Sequence, residues 1–150
     1  MRNIVTPDSR VSLFDVNALL ALVLTTHQHH RAAHAFLGPL SAWATTPVTE
    51  SGLARLLLNP AITGTRSGGI PVLSAIAGLA DDPRWRFLPD DTRLSETTLT
   101  TNVLMGHKQV TDLHLANVAA RHGARLCTFD ASLLQWLAPA DRQHVELIPS

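Results

Sequence analysis

Five short apolar runs alternate with longer stretches of helical spacing, and this alternation narrows the available folds more than any other feature. Val11-Ser-Leu-Phe14, residues 41–45, residues 85–88, Arg125-Leu-Cys-Thr128 and residues 145–148 are each of strand length. Helices are predicted over 17–24, 28–40, 47–58, 70–79, 92–104, 111–122 and 132–137. Thr46-Pro47 suits an N-cap and a first helical position, and Gly106 suits a C-terminal cap. Asn59-Pro60 is a helix stop, and residues 63–69 form a Gly/Thr/Ser loop between helices. Strands that alternate with helices build an α/β fold with a mainly parallel, five-stranded sheet. At 150 residues, without repeats or a linker, the chain is expected to form a single domain over 1–150.

Composition excludes several functional classes. With 45% hydrophobic and 16% charged residues, the chain is no disordered polyelectrolyte. Twelve basic residues balance twelve acidic ones, so no global field draws it to nucleic acid or to a membrane. The single cysteine, Cys127, has no intrachain partner, which suits a reducing cytoplasm. The apolar stretch 11–24 is too short to span a bilayer, and Asp15 and Asn17 interrupt it. It reads as a buried strand running into a helix and not as a signal peptide.

The few acidic residues fall in a pattern. Asp15 follows the first strand and Asp130 the fourth, so both sit at the carboxyl edge of a parallel sheet, where α/β folds bind ligands. Glu50 and Asp112 lie in the first turns of two crossover helices, whose N-termini reach the same edge. Taken singly, each has a plainer role, as a turn residue, an N-cap or a partner of a helix dipole. Together, four carboxylates in one place repel each other, and a divalent cation relieves that repulsion. All-oxygen ligands select Mg²⁺ or Mn²⁺, ions that hydrolyse phosphodiesters through an activated water.

At these residues the chain resembles the PIN-domain ribonucleases, and in particular the VapC-type toxins of bacterial toxin–antitoxin modules. The matching segments are Leu13-Phe-Asp-Val-Asn-Ala-Leu-Leu20, Thr46-Pro-Val-Thr-Glu-Ser-Gly-Leu-Ala-Arg55, Val110-Thr-Asp-Leu-His-Leu-Ala116 and Leu126-Cys-Thr-Phe-Asp-Ala-Ser-Leu133. The resemblance puts the family's four acidic positions on Asp15, Glu50, Asp112 and Asp130, its Thr-x-Asp on Thr128-Phe129-Asp130, and a polar position on Asn17. Leu113 departs from the small residue common after the third acid. The resemblance implies a three-layer α/β/α sandwich, Mg²⁺- or Mn²⁺-dependent cleavage of RNA, a homodimer, and neutralisation by a VapB-type antitoxin.

Other features carry less. His27, His29, His30 and His34 form a tract at the start of a predicted helix, read as solvated because nothing nearby completes a zinc site. His114 is expected to point away from Asp112. Arg55, Arg84, Arg86, Arg93 and Arg125 are scattered charges; Arg10 and Lys108 are the better candidates for phosphate contact. Trp43, Trp85 and Trp136 are read as core side chains before base-stacking ones. The same holds for Leu19, Leu22, Phe36, Leu53, Leu56 and Leu57, although some of these suit a groove for an antitoxin segment.

The expected activity is metal-dependent endoribonuclease cleavage. Asp15, Asp112 and Asp130 bind the ion, directly or through water, and Glu50 holds or deprotonates the attacking water or bridges a second ion. In-line attack leaves a 5′-phosphate and a 3′-hydroxyl. The alternative is a non-catalytic module of the same fold that binds RNA or a protein partner, with the carboxylates as structural caps.

Overall fold

A computed structural model describes residues 9–150 of the chain. Five strands, β1 (Ser12–Phe14), β2 (Trp43–Thr45), β3 (Trp85–Phe87), β4 (Arg125–Thr128) and β5 (Val145–Leu147), form one sheet in the order β3-β2-β1-β4-β5. Every pairing is parallel. Seven helices connect them: α1 (Val16–Val23), α2 (His30–Leu37), α3 (Pro47–Leu57), α4 (Pro60–Thr63), α5 (Gly69–Leu79), α6 (Val110–Arg121) and α7 (Ala131–Trp136).

Strand side chains alternate between the two faces, and each face has its own apolar layer. Leu13, Ala44 and Leu126 face the α6 side, packing with Leu113, Leu115 and Val118. Phe14, Trp43 and Cys127 face the opposite side, against α1, α2 and α3. Both cores are essentially closed to solvent, with Leu13, Phe14, Leu126 and Cys127 all at 0% exposure. The architecture is therefore the α/β/α sandwich expected. Leu19, Leu22, Leu53 and Leu57 are buried in this second core and not in a groove. Trp43 joins it, with its ring edge-on to Phe14. Helix α3 approaches α1 so closely that a Cβ on Gly52 would fall 2.6 Å from Val16 Cγ2, so a side chain here forces the two helices apart.

Two expectations from the sequence change. No helix forms over 92–104. The chain from 88 to 106 runs as turns and bends, pinned where Leu99 is buried and where the Asp141 carboxylate accepts the Thr100 N–H at 2.8 Å. The segment is rich in Thr and Ser, whose hydroxyls compete for backbone groups; Thr97 Oγ1 donates to Leu99 O at 2.7 Å. Gly106 accordingly ends no helix; it precedes the 3₁₀ turn His107–Gln109 that leads into α6. Asn59 does more than stop α3: its Oδ1 accepts the Ala61 N–H at 3.0 Å and caps the one-turn α4.

Arg84, one of the scattered charges, is structural. Its Nη1 donates to Leu37 O, Gly38 O and Leu40 O at 2.9, 3.0 and 3.0 Å, gathering the carbonyls at the end of α2. Its Nη2 pairs with Asp82 at 2.8 Å. Arg84→Ala is expected to destabilise the fold, read as a lowered urea midpoint with an unchanged slope.

Candidate active site

Strand β1 pairs with β2 on one side and β4 on the other, and the chain's direction of winding reverses there. A crevice opens at such a switch point outside the carboxyl ends of the strands. Asp15 is the first residue beyond β1, and its N–H bonds to Cys127 O at 3.1 Å, which ties it to the end of β4. Its Oδ1 accepts the Ala18 N–H at 2.7 Å and so caps α1. Asp130 caps α7 in the same manner, with Oδ1 accepting from Ser132 N at 2.9 Å and Ser132 Oγ at 2.6 Å. Both residues therefore cap a helix at the carboxyl edge of the sheet.

Thr128 joins them. Its Oγ1 accepts the Asp130 N–H at 3.0 Å, and its side chain is hydrogen-bonded to the Asp15 carboxylate. One buried hydroxyl thus sets both carboxylates, which gives the Thr-x-Asp pattern a physical reason.

Asp15 is buried, and its carboxyl is pushed up to about 6, first by loss of water and then, more weakly, by the charges of Asp112 and Asp130. Hydrogen bonds from Thr128 and Ala18 act against this rise. Asp112, in the first turn of α6, is also raised, by burial and then by Asp130. Asp15, Asp112 and Asp130 thus share one electrostatic environment. Among the described residues, no Lys or Arg forms an ion pair with any of the three.

Glu50 lies in the first turn of α3 but is held separately. The Trp85 Nε1–H donates to Thr45 Oγ1 at 3.1 Å, and Thr45 Oγ1 donates to Glu50 Oε2 at 2.6 Å. Thr45, fully buried at the end of β2, therefore aims its only hydroxyl hydrogen at Glu50. This two-step relay spans residues 45, 50 and 85 and leaves no periodic trace in the sequence. Thr45→Val keeps the shape but strands both Glu50 and the indole N–H. It is expected to lower the melting temperature by several degrees.

A cavity of about 370 Å³ is lined by Asp15, Asn17, Thr128 and Asp130 together with His27, Gln28, His29 and Phe129. Asp112 and Glu50 do not line it. A larger, mainly apolar cavity of about 570 Å³ opens by the starts of α3 and α6, where Val48, Leu94, Val110 and His114 meet. His114 turns its Nε2 to Asp90 Oδ1 at 2.9 Å.

The donors are all hard oxygens: Asp15 is buried, Glu50 and Asp112 are half-buried and Asp130 is exposed, and the repulsion among Asp15, Asp112 and Asp130 is what a divalent cation relieves. Their free capacity is limited, because one oxygen each of Asp15, Glu50 and Asp130 is already bonded within the protein. No three His, Cys, Asp or Glu side chains among the described residues stand close enough to clasp an ion as they are. The donor set therefore fits an ion that takes few direct ligands and keeps several waters, the habit of Mg²⁺.

Cys127, buried in β4, has its thiol pushed up to about 12 by burial, so it stays protonated and is no nucleophile. The histidine tract is partly solvated, with His34 exposed and His27, His29 and His30 half-buried, but it is also bonded. His30 Nδ1 meets Ala21 O at 2.7 Å and His34 Nε2 meets Leu22 O at 2.9 Å, so two imidazoles secure the last turn of α1. Of the basic candidates, Arg86 donates to Pro83 O and Trp85 O at 3.0 and 2.9 Å. Arg10 donates to Gln143 O at 3.0 Å, and Arg125 pairs with Glu146. Lys108 and Arg55 are exposed.

Fold and site together define an α/β protein with an acidic crevice at the switch point of a parallel sheet. The family model for the PIN domain matches residues 12–135, and the chain belongs to the PIN domain family. It is similar to Ribonuclease VapC38 of Mycobacterium tuberculosis, at 36% identity over 144 residues, covering 92% of this chain and 98% of that protein. Ribonuclease VapC39 of the same species is 40% identical over 128 residues, covering 81% of this chain and 90% of its own. Ribonuclease VapC29 is 33% identical over 122 residues, covering 81% and 86%.

Proposed function

We propose that the protein is a VapC-type endoribonuclease, the toxin of a toxin–antitoxin module, with Asp15, Glu50, Asp112 and Asp130 as its catalytic carboxylates. The observation that carries this is the shared environment of Asp15, Asp112 and Asp130 at the carboxyl edge of the sheet, where burial raises Asp15 and Asp112, and Asp130 adds to both. The ribonuclease names of its relatives point the same way.

Asp15, Asp112 and Asp130 would hold Mg²⁺ or Mn²⁺, directly or through water. Once bound, the ion supplies an activated water and a counter-charge for the leaving oxygen. Thr128 keeps Asp15 and Asp130 in place. Glu50, aimed by Thr45, takes the proton of the attacking water. Attack in line with the leaving 3′-oxygen yields a 5′-phosphate and a 3′-hydroxyl.

The natural partner in this reading is a VapB-type antitoxin that sets an Arg against the carboxylates, replacing the cation with an inert guanidinium. A homodimer accords with α5, where Ile70 is 87% and Leu73 62% exposed. No described helix is long and apolar enough to cross a membrane, and a toxin directed at RNA works in the cytoplasm.

Expression of the protein alone is expected to arrest growth, and coexpression with the antitoxin to restore it. Asp15→Asn at equal protein level is expected to leave growth normal. The rival reading, a non-catalytic module, draws on the fact that Asp15 and Asp130 both serve as N-caps. Equal arrest by both forms would favour that module.

A further inference from the structure

The histidine tract divides into two pairs with different work. His30 and His34 bond to carbonyls of α1 and thereby hold the turn between α1 and α2. His27 and His29 sit in that turn and line the cavity that Asp15 and Asp130 share. The His29 ring lies on Phe129, with centroids 4.6 Å apart and planes 16° from parallel. His27 stands beside His29 at 5.7 Å, inclined by 44°.

Each ring is fixed. Phe129 packs against the α1-side core. His27 Nδ1 accepts the His29 N–H at 3.0 Å, so the hydrogen of its neutral ring resides on Nε2, which becomes a donor. All three rings are only partly buried. Gln28 adds an amide, with both donor and acceptor, to the same wall. Rings that are ordered before a ligand arrives lose little freedom when it binds.

We propose that His27, His29 and Phe129 form a nucleobase subsite that stacks the base next to the scissile phosphate. This rests on the ribonuclease reading above, and it names which side chains grip the RNA beside the carboxylates. A phosphate brought to Asp15 and Asp130 by a bound cation would have its neighbouring base within reach of the same cavity. An aromatic wall with an amide beside it is how proteins hold an unstacked base. The subsite also answers a difficulty of charge. The chain has no net positive charge, and Arg84 and Arg86 spend their guanidinium groups on backbone carbonyls. Stacking adds to the affinity that exposed cations such as Lys108 and Arg55 supply at phosphates.

The test uses full-length protein and two fluorescein-labelled oligoribonucleotides that it cleaves, identical except for an abasic residue beside the cleaved bond in the second. His29→Ala is expected to raise KM and the anisotropy-derived Kd for the intact RNA about tenfold. His29→Phe, which keeps an aromatic ring on Phe129, is expected to restore most of the loss. With the abasic RNA, wild type and His29→Ala are expected to bind alike. Thermal melts of the variants establish that each is folded, and Phe129→Leu provides a second disruption of the stack from the opposite ring. If wild type cleaves RNA while His29→Ala and Phe129→Leu both retain its KM, the subsite is overturned and the ribonuclease reading stands. The subsite is also overturned if His29→Ala weakens intact and abasic RNA equally. If wild type neither binds nor cleaves RNA with Mg²⁺ or Mn²⁺, both readings fall together.

Discussion

Asp15→Asn is expected to lower RNA cleavage by on the order of 10³-fold or more and, in the same protein, to raise the melting temperature without metal. The two effects have one cause. Asp15 is buried beside Asp112 and Asp130, and its carboxyl is lifted from 3.8 to about 6. A carboxyl raised on folding imposes no penalty below pH 4, where it is protonated in both states. Stability falls as pH rises from about 4 to 6, and above that the full cost is present. A rise of roughly two units corresponds to about 3 kcal/mol, an upper figure for a site that can hydrate or relax. Asparagine keeps the cap on Ala18, since Asn and Asp serve equally as N-caps, but carries no charge. The variant should therefore melt several degrees higher than wild type at pH 7.5 in chelator, and the difference should close by pH 4. A variant that melts lower at pH 7.5 would show that the carboxylate stabilises the fold, against the reading of a site strained for chemistry.

Removal of divalent ions has the second large effect. Cleavage is expected to vanish in chelator and return with Mg²⁺ or Mn²⁺. The melting temperature should follow, because an ion that binds only the folded state at a hundred times its Kd adds about 2.7 kcal/mol. The gain should be absent in Asp15→Asn and Asp112→Asn. Ion binding also requires Asp15 to be ionised, so affinity should weaken below about pH 6, where a proton competes for the carboxylate. Calorimetric titration with Mn²⁺ at pH 5 and pH 7.5 measures this directly. Cleavage that persists in chelator with the same products would point to a different mechanism.

Much of the fold was legible because local rules and the tertiary structure agree. Leu13 and Phe14 form a strand buried on both faces, as their apolar run suggests, and Asp15 stops it by capping the next helix. The carboxylates were legible for a related reason: in a parallel α/β fold, strand ends and helix starts share one edge. Residues 92–104 misled because their apolar spacing resembles that of a helix while their hydroxyl groups compete for the backbone. The Trp85–Thr45–Glu50 relay and the collar that Arg84 makes around residues 37–40 were invisible for another reason. Each depends on a bond between residues 40 or more positions apart, so neither leaves a spacing to detect. The histidines look alike in the chain. Only the return of α2 toward α1 separates the two that clamp carbonyls from the two that face the crevice.

The pairing of β1 with β4 also sets when the crevice can exist. Asp15 takes its backbone bond from Cys127 and its side-chain partner from Thr128, both more than a hundred residues later in synthesis. Until the ribosome has delivered β4, the first strand has no neighbour on that side, and Asp15 has no Asp112 or Asp130 beside it. Contacts across so long a loop also form slowly, because closing the loop precedes any gain from pairing. The acidic residues from the two ends of the chain therefore come together only near the end of translation. The order of the strands is in that sense a delay, written into the topology.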